Sequence, residues 1–117
     1  MKVRTKVWIE DDQGKVVFGS GRVRMLKAVN RLGSMNKAAK ALKMSYRGLW
    51  ARIKSTENRI GARLLITRSG GGKGSGSILT PVGKRFLKNY NLLEDSVRQQ
   101  ADQEFDKIFG DARTDEK

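Results

Sequence analysis

The sequence contains no cysteine and no histidine. That excludes a disulfide framework, a Cys/His zinc site, a thiol nucleophile and a His-based catalytic triad. The longest uninterrupted apolar runs, such as Leu64-Leu65-Ile66, are three residues long. No membrane-spanning helix and no signal-peptide core can be built from them. Proline occurs once, at Pro81, and acids are scarce: 12 Asp+Glu face 25 Lys+Arg, a net charge of +13. What is present suits one domain with one small core: 117 residues, 38% of them hydrophobic, with a mean hydropathy of -0.58. A soluble chain of this charge most often meets a polyanion, the alternative being a merely basic surface.

The charge is unevenly spread. Ser20 to Thr80 holds 14 Lys/Arg and a single acid, Glu57, whereas Leu93 onward holds four basic residues and eight acids. The middle therefore carries the cationic field. A membrane-binding helix would concentrate its basic residues opposite one strong apolar face. Here they are distributed over several segments, which favours a folded nucleic-acid surface over a membrane.

Alternation of Val3, Thr5, Val7 and Ile9 with Lys2, Arg4, Lys6 and Trp8 predicts a strand over residues 2–10. Asp11-Asp12-Gln13-Gly14 is a turn signal, and Lys15 to Gly19 reads as a second strand, giving a hairpin over residues 1–19. Residues 20–80 read as a DNA-binding unit. Its first helix is capped by Ser20 and ended by Gly33, with Val23, Leu26 and Val29 or Asn30 on one face. The second is capped by Ser34, with Met35, Ala38, Ala39 and Leu42 in a stripe; the third is capped by Ser45 and runs from Tyr46 to Ile60 before Gly61. Leu64 to Arg68 reads as a strand, followed by a segment with five glycines in nine residues, Ser69 to Ser77, and by extended Ile78-Leu79. Thr80-Pro81 starts a last helix, cap then first helical position, expected over residues 81–109 with a frayed tail at 110–117.

Three constellations bear on function. Two helices joined by a tight connection between Ser34 and Gly61 match a helix-turn-helix, whose second helix enters the major groove. At about 100° per residue, the core stripe of the third helix is Leu49, Ile53, Thr56 and Ile60. Its outward face is Arg47, Ala51, Lys54 and Asn58, flanked by Trp50 and Ser55. A small residue at the centre with cations beside it suits close approach to base edges; Arg can bind guanine through two hydrogen bonds, and Lys can reach phosphate or guanine. An ordinary amphipathic helix with a solvated basic face is the competing reading, and Trp50 suits half-buried packing somewhat better than base contact. Gly48, costly in a helix interior by about 1 kcal/mol relative to Ala, reads as close packing or backbone approach to DNA.

The glycine-rich segment reads as a wing carrying Arg68 and Lys73 to the phosphate backbone or minor groove, or as a plain linker. A phosphate-binding loop of a nucleotide-using enzyme fits poorly, because Lys73 is followed by Gly74 where that pattern needs Ser or Thr. In the last helix Val82, Phe86, Tyr90, Leu93, Val97, Ala101, Phe105 and Ile108 recur at steps of three and four. A stripe so long exceeds what this small domain can cover. Phe86, Tyr90, Leu93, Val97, Ala101 and Phe105 are accordingly expected to pair with a second copy, the alternative being a fold-back on the same chain.

Gly33 to Leu42, Met44-Ser45, the helix to Gly61, Leu64 to Arg68, and Leu79 to Gly83 are together similar to the winged helix-turn-helix of LysR-type regulators. Within these, Ser45 to Trp50 resembles the recognition-helix start of ModE-type molybdate-responsive transcription regulators, and Thr67 to Thr80 resembles their Gly-rich wing. The resemblance covers roughly residues 17–109. It implies a mostly α fold with small β elements: a winged helix-turn-helix with an N-terminal β-hairpin and a long dimerisation helix. It implies a cytoplasmic homodimer that binds a pseudo-palindromic operator in double-stranded DNA. The expected contacts come from Ser45, Tyr46, Arg47, Trp50, Ala51, Lys54, Ser55, Asn58, Arg68 and Lys73. No catalytic group, metal or cofactor is expected. ModE proteins usually continue into molybdate-binding domains, and this sequence stops at Lys117. The expectation is therefore no direct oxyanion response, with room for a separate effector-binding protein. A sequence-tolerant architectural DNA-binding protein is the alternative function.

Overall fold

The computed structural model describes residues 1–68 and 76–115. Two antiparallel two-stranded ribbons and four helices follow one another as β1 (Ile9–Glu10), β2 (Val16–Phe18), α1 (Ser20–Leu32), α2 (Met35–Ala41), α3 (Tyr46–Ile60), β3 (Leu65–Arg68), β4 (Gly76–Leu79) and α4 (Pro81–Asp115).

Local chemistry accounts for most boundaries. Ser34 and Ser45 cap α2 and α3, their hydroxyls accepting from the N–H groups of Lys37 and Gly48. Gly33 and Gly61 end α1 and α3 in the left-handed conformation, which glycine adopts without a Cβ penalty. Ser20 departs from expectation. It is the first residue of α1, and Gly19 occupies the cap position without a side-chain bond.

Buried Val23, Met25, Leu26, Ala28 and Val29 of α1 meet Met35, Ala38 and Ala39 of α2, with Leu49 and Ile53 of α3 completing the core. The paired alanines let α2 approach closely. Asn30 stays exposed, so Val29 takes the position the pattern left open between them. Phe18 from β2 is fully buried and packs against the rings of Phe86 and Tyr90 on α4.

Two expectations are corrected. The first strand is two residues long, not nine, and its register with β2 shifts between Ile9 and Glu10. Residues 1–8 instead run as an irregular segment along α4, where the Tyr90 hydroxyl donates to the Val7 carbonyl at 2.7 Å. Alternation there reflects one side leaning on a helix, with Val3 and Val7 half-buried, and no neighbouring strand. The second concerns α4, which continues past Phe109 to Asp115. Gly110 keeps a negative φ and so does not end it. Phe86 and Tyr90, expected at an intersubunit seam, both pack on Phe18 within the protomer, Tyr90 at 3% exposure and Phe86 half-buried.

At 35 residues, α4 is about 52 Å long. The radius of gyration is 18.4 Å, against roughly 13 Å for a compact chain of this length. Much of the C-terminal half of α4 therefore projects from the body, carrying half-buried Ala101 and Phe105 and exposed Ile108, with exposed Leu93 and half-buried Val97 just before it.

Candidate nucleic-acid interface

The α2–α3 connection is short and sharply set. Lys43 takes φ 56°, a left-handed conformation costing a side-chain-bearing residue about 1–2 kcal/mol. Bonds from Lys43 N–H to Lys40 O and from Met44 N–H to Ala39 O hold it there. The result is a tight helix–turn–helix whose second helix buries Leu49, Ile53, Thr56 and Glu57 and keeps the opposite face outside.

On that face Tyr46, Arg47, Ala51 and Asn58 are exposed, as is the cap residue Ser45. Lys54, within the face, and Ser55, on its border, are half-buried. Lys54 is the most constrained, with Nζ 3.5 Å from the Glu57 carboxylate and 5.8 Å from the centre of the Trp50 ring. Trp50 itself is 48% exposed, so within the protomer it stands out from the surface instead of filling the core. At Gly48 a Cβ would lie 3.0 Å from Ser45 Oγ and 3.1 Å from an Arg52 guanidinium nitrogen, a tight fit against two side chains of its own helix end. No side chain or backbone of a neighbouring element presses on it.

Glu57 is the side chain that sequence reasoning missed. Its carboxylate accepts from the Leu64 and Leu65 N–H groups at 2.7 and 3.2 Å, tying the end of α3 to the start of the wing. The signal was available, since it is the one acid between Ser20 and Thr80. Thr56, read as core, also bonds: Oγ1 donates to the Val17 carbonyl and accepts from Arg22 Nε, both at 2.9 Å. Arg22 is partly buried, and burial first, then the charges of Arg52 and Arg59, pull its pKa below the usual guanidinium value.

The wing is set from both ends. β3 and β4 pair in register from Leu65 with Leu79 to Arg68 with Gly76. Ser77 N–H donates to the Gly33 carbonyl at 3.0 Å, hanging β4 on the C-terminus of α1. Thr80 N–H donates to Leu64 O, and the Thr80 hydroxyl donates to Arg63 O while accepting from Gly83 N–H. Gly83 is required here, because a Cβ would stand 2.4 Å from the Leu64 carbonyl oxygen. Arg68 ends β3 with its side chain exposed. It lines a cleft of about 460 Å³ together with Ser34, Lys37 and Tyr46, between the wing and the start of α2. Lys73 lies outside the described residues. Among the described residues no cluster of acids could hold a metal ion, and no helix is long and apolar enough to cross a membrane.

A helix held outward by a tight helical turn, beside an antiparallel ribbon and above a three-helix core, is a winged helix-turn-helix. The chain belongs to the bacterial regulatory helix-turn-helix proteins of the lysR family, whose pattern matches residues 21–84. It is 45% identical over 74 residues to the transcriptional regulator ModE of Haemophilus influenzae, covering 62% of this chain and 29% of that protein. It is 33% identical over 90 residues to the DNA-binding transcriptional dual regulator ModE of Escherichia coli strain K12, covering 76% and 34%. The chain thus spans about a third of the length of these relatives. Among solved structures, the BenM_DBD/benA site 1 DNA complex is similar at TM-score 0.50 and 28% identity, over 68% of this chain and 84% of that one. The CbnR_DBD–DNA complex shares the fold at TM-score 0.53 and 24% identity, over 72% and 91%.

Proposed function

We propose that this chain is a DNA-binding transcription regulator of the ModE-like, LysR-type class, acting as a homodimer on a pseudo-palindromic operator. The observation that carries the reading is the outward face of α3. Tyr46, Arg47, Ala51 and Asn58 are presented to solvent by a capped helix whose other face is locked into the core. In a major groove this helix offers Arg47 to a guanine edge and Asn58 to an adenine edge, with Ala51 permitting close approach. Ser45, Trp50, Lys54, Ser55 and, from the wing, Arg68 and Lys73 would contact the sugar–phosphate backbone or flank the bases. Similarity to regulators described as DNA-binding and to DNA-binding domains solved on DNA supports the same conclusion.

Leu93, Val97, Ala101 and Phe105, along the middle and outer part of α4, would pair with a second copy, and two paired helices would set the half-site spacing. The protein would act in the cytoplasm with DNA as its partner, its role being recognition and not catalysis. A signal could reach it through an effector-binding protein.

Selection of bound fragments from random duplex DNA tests the reading. The expected result is a two-fold-related sequence bound at least about a thousandfold more tightly than scrambled DNA. Uniform binding to all duplexes would instead establish a sequence-tolerant architectural protein.

A further inference from the structure

The outward face of α3 has two flanks, and only one faces the wing. Tyr46, about 100° from Arg47 around the helix, turns toward the cleft lined by Ser34, Lys37 and Arg68. On the other flank, about 120–140° from Arg47, stand Arg59 and Arg52. They are joined there by Arg22 from α1. Each guanidinium is pinned by a neutral acceptor: Arg52 by Gly48 O at 3.2 Å, Arg22 by Thr56 Oγ1, and Arg59 by the Val16 carbonyl of β2. Among the described residues none of the three enters an ion pair. Asp11 is the nearby acid, its carboxylate already accepting from the N–H groups of Gln13 and Lys15. A cleft of about 360 Å³ opens beside the group, lined by Lys6, Trp8, Ser20, Gly21 and Arg22.

Holding three like charges close together, with Asp11 near Arg59 as a partial counter-charge, raises the energy of the free protein, and an arriving anion relieves it. A helix in a major groove has a phosphate strand on each side. We infer that Arg22, Arg52 and Arg59, with Lys6 at their edge, hold the phosphodiester backbone on the side of the major groove opposite the wing, and that the N-terminal hairpin acts in DNA binding by positioning Arg59. The hairpin lies outside the segment matched by the family pattern, residues 21–84. The inference rests on the DNA-binding reading and adds a second backbone track to it.

The test is the salt dependence of binding to one scrambled duplex and one selected duplex, for wild type, Arg52→Gln/Arg59→Gln and Arg52→Lys/Arg59→Lys. Both positions are exposed, and thermal melting checks that each variant is folded. Each phosphate contact contributes about 0.9 to the slope of log K against log salt. Each position occurs twice in the homodimer, so the Gln pair should flatten the slope by about four and weaken both duplexes alike, roughly a thousandfold at 0.15 M salt. The Lys pair should keep the wild-type slope. If the Gln pair does not fold, Arg52→Gln alone should flatten the slope by about two. An unchanged slope in a folded Gln variant, or a loss confined to the selected duplex, overturns the inference. A wild type that binds neither duplex overturns the DNA-binding reading itself.

Discussion

Tyr90 joins three parts of the molecule through one side chain. Its ring closes the core against Phe18 at 5.4 Å between centroids, and its hydroxyl fixes the N-terminal segment through Val7. Burial first, then the Glu94 carboxylate 3.3 Å away, raise the phenol pKa. With the folded pKa above the unfolded one, this stabilisation is complete below the ordinary phenol pKa and is lost as pH rises through the folded value. Tyr90→Phe keeps the ring and loses the bond, so it should cost about 1 kcal/mol, read as a lower denaturant midpoint at pH 7. It should also abolish the raised phenolate transition in an ultraviolet titration. An unchanged midpoint would show that the hydroxyl does not tether the N-terminal segment. An eight-residue alternation, Lys2 to Ile9, could not disclose this arrangement, since an extended chain leaning on a helix shows the same period as a strand in a sheet.

Among the elements, α2, α3 and the wing were the most legible from sequence. Their limits are written in residues with one strong local role: Ser34 and Ser45 as caps, Gly33 and Gly61 as left-handed ends, and Pro81 after Thr80 at the start of α4. The outward face of α3 followed from helical period alone. The fastenings between elements were not legible. Glu57 reaching the Leu64 and Leu65 amides, and Gly83 fitting beneath the Leu64 carbonyl, depend on which elements meet in space. The same limit affected α4, where spacing identifies an apolar face but not the neighbour that covers it. Its first turns serve Phe18 of the same chain, while just beyond them Leu93 stays 43% exposed. A charge on that stretch should separate paired copies without unfolding the domain. Val97→Asp is expected to retain the helical circular dichroism of wild type and to sediment near 13.1 kDa, with wild type at twice that mass. A wild-type monomer that binds its selected duplex at full affinity would contradict the pairing of α4.

At the scale of the whole molecule, charge and shape separate two tasks. The basic stretch from Ser20 to Thr80 forms the helix-turn-helix and the ribbon, while the acids gather from Glu94 onward on the projecting helix. A polyanion is thereby drawn to the body and repelled from the end where a second copy would pair. The extents of 64 × 32 × 23 Å fit a domain carrying a long arm. The central claim is that the outward face of α3 reads base sequence, and Arg47 is its most direct probe because it is exposed and lies in the first turn. The decisive measurement is the affinity of Arg47→Ala for the selected duplex and for its single-base-pair variants, at fixed salt. The account predicts a loss of about 1–3 kcal/mol for each half-site and relaxed preference at one position in each, with affinity for scrambled DNA nearly unchanged. An Arg47→Ala protein that kept both its affinity and its full base preference would contradict it.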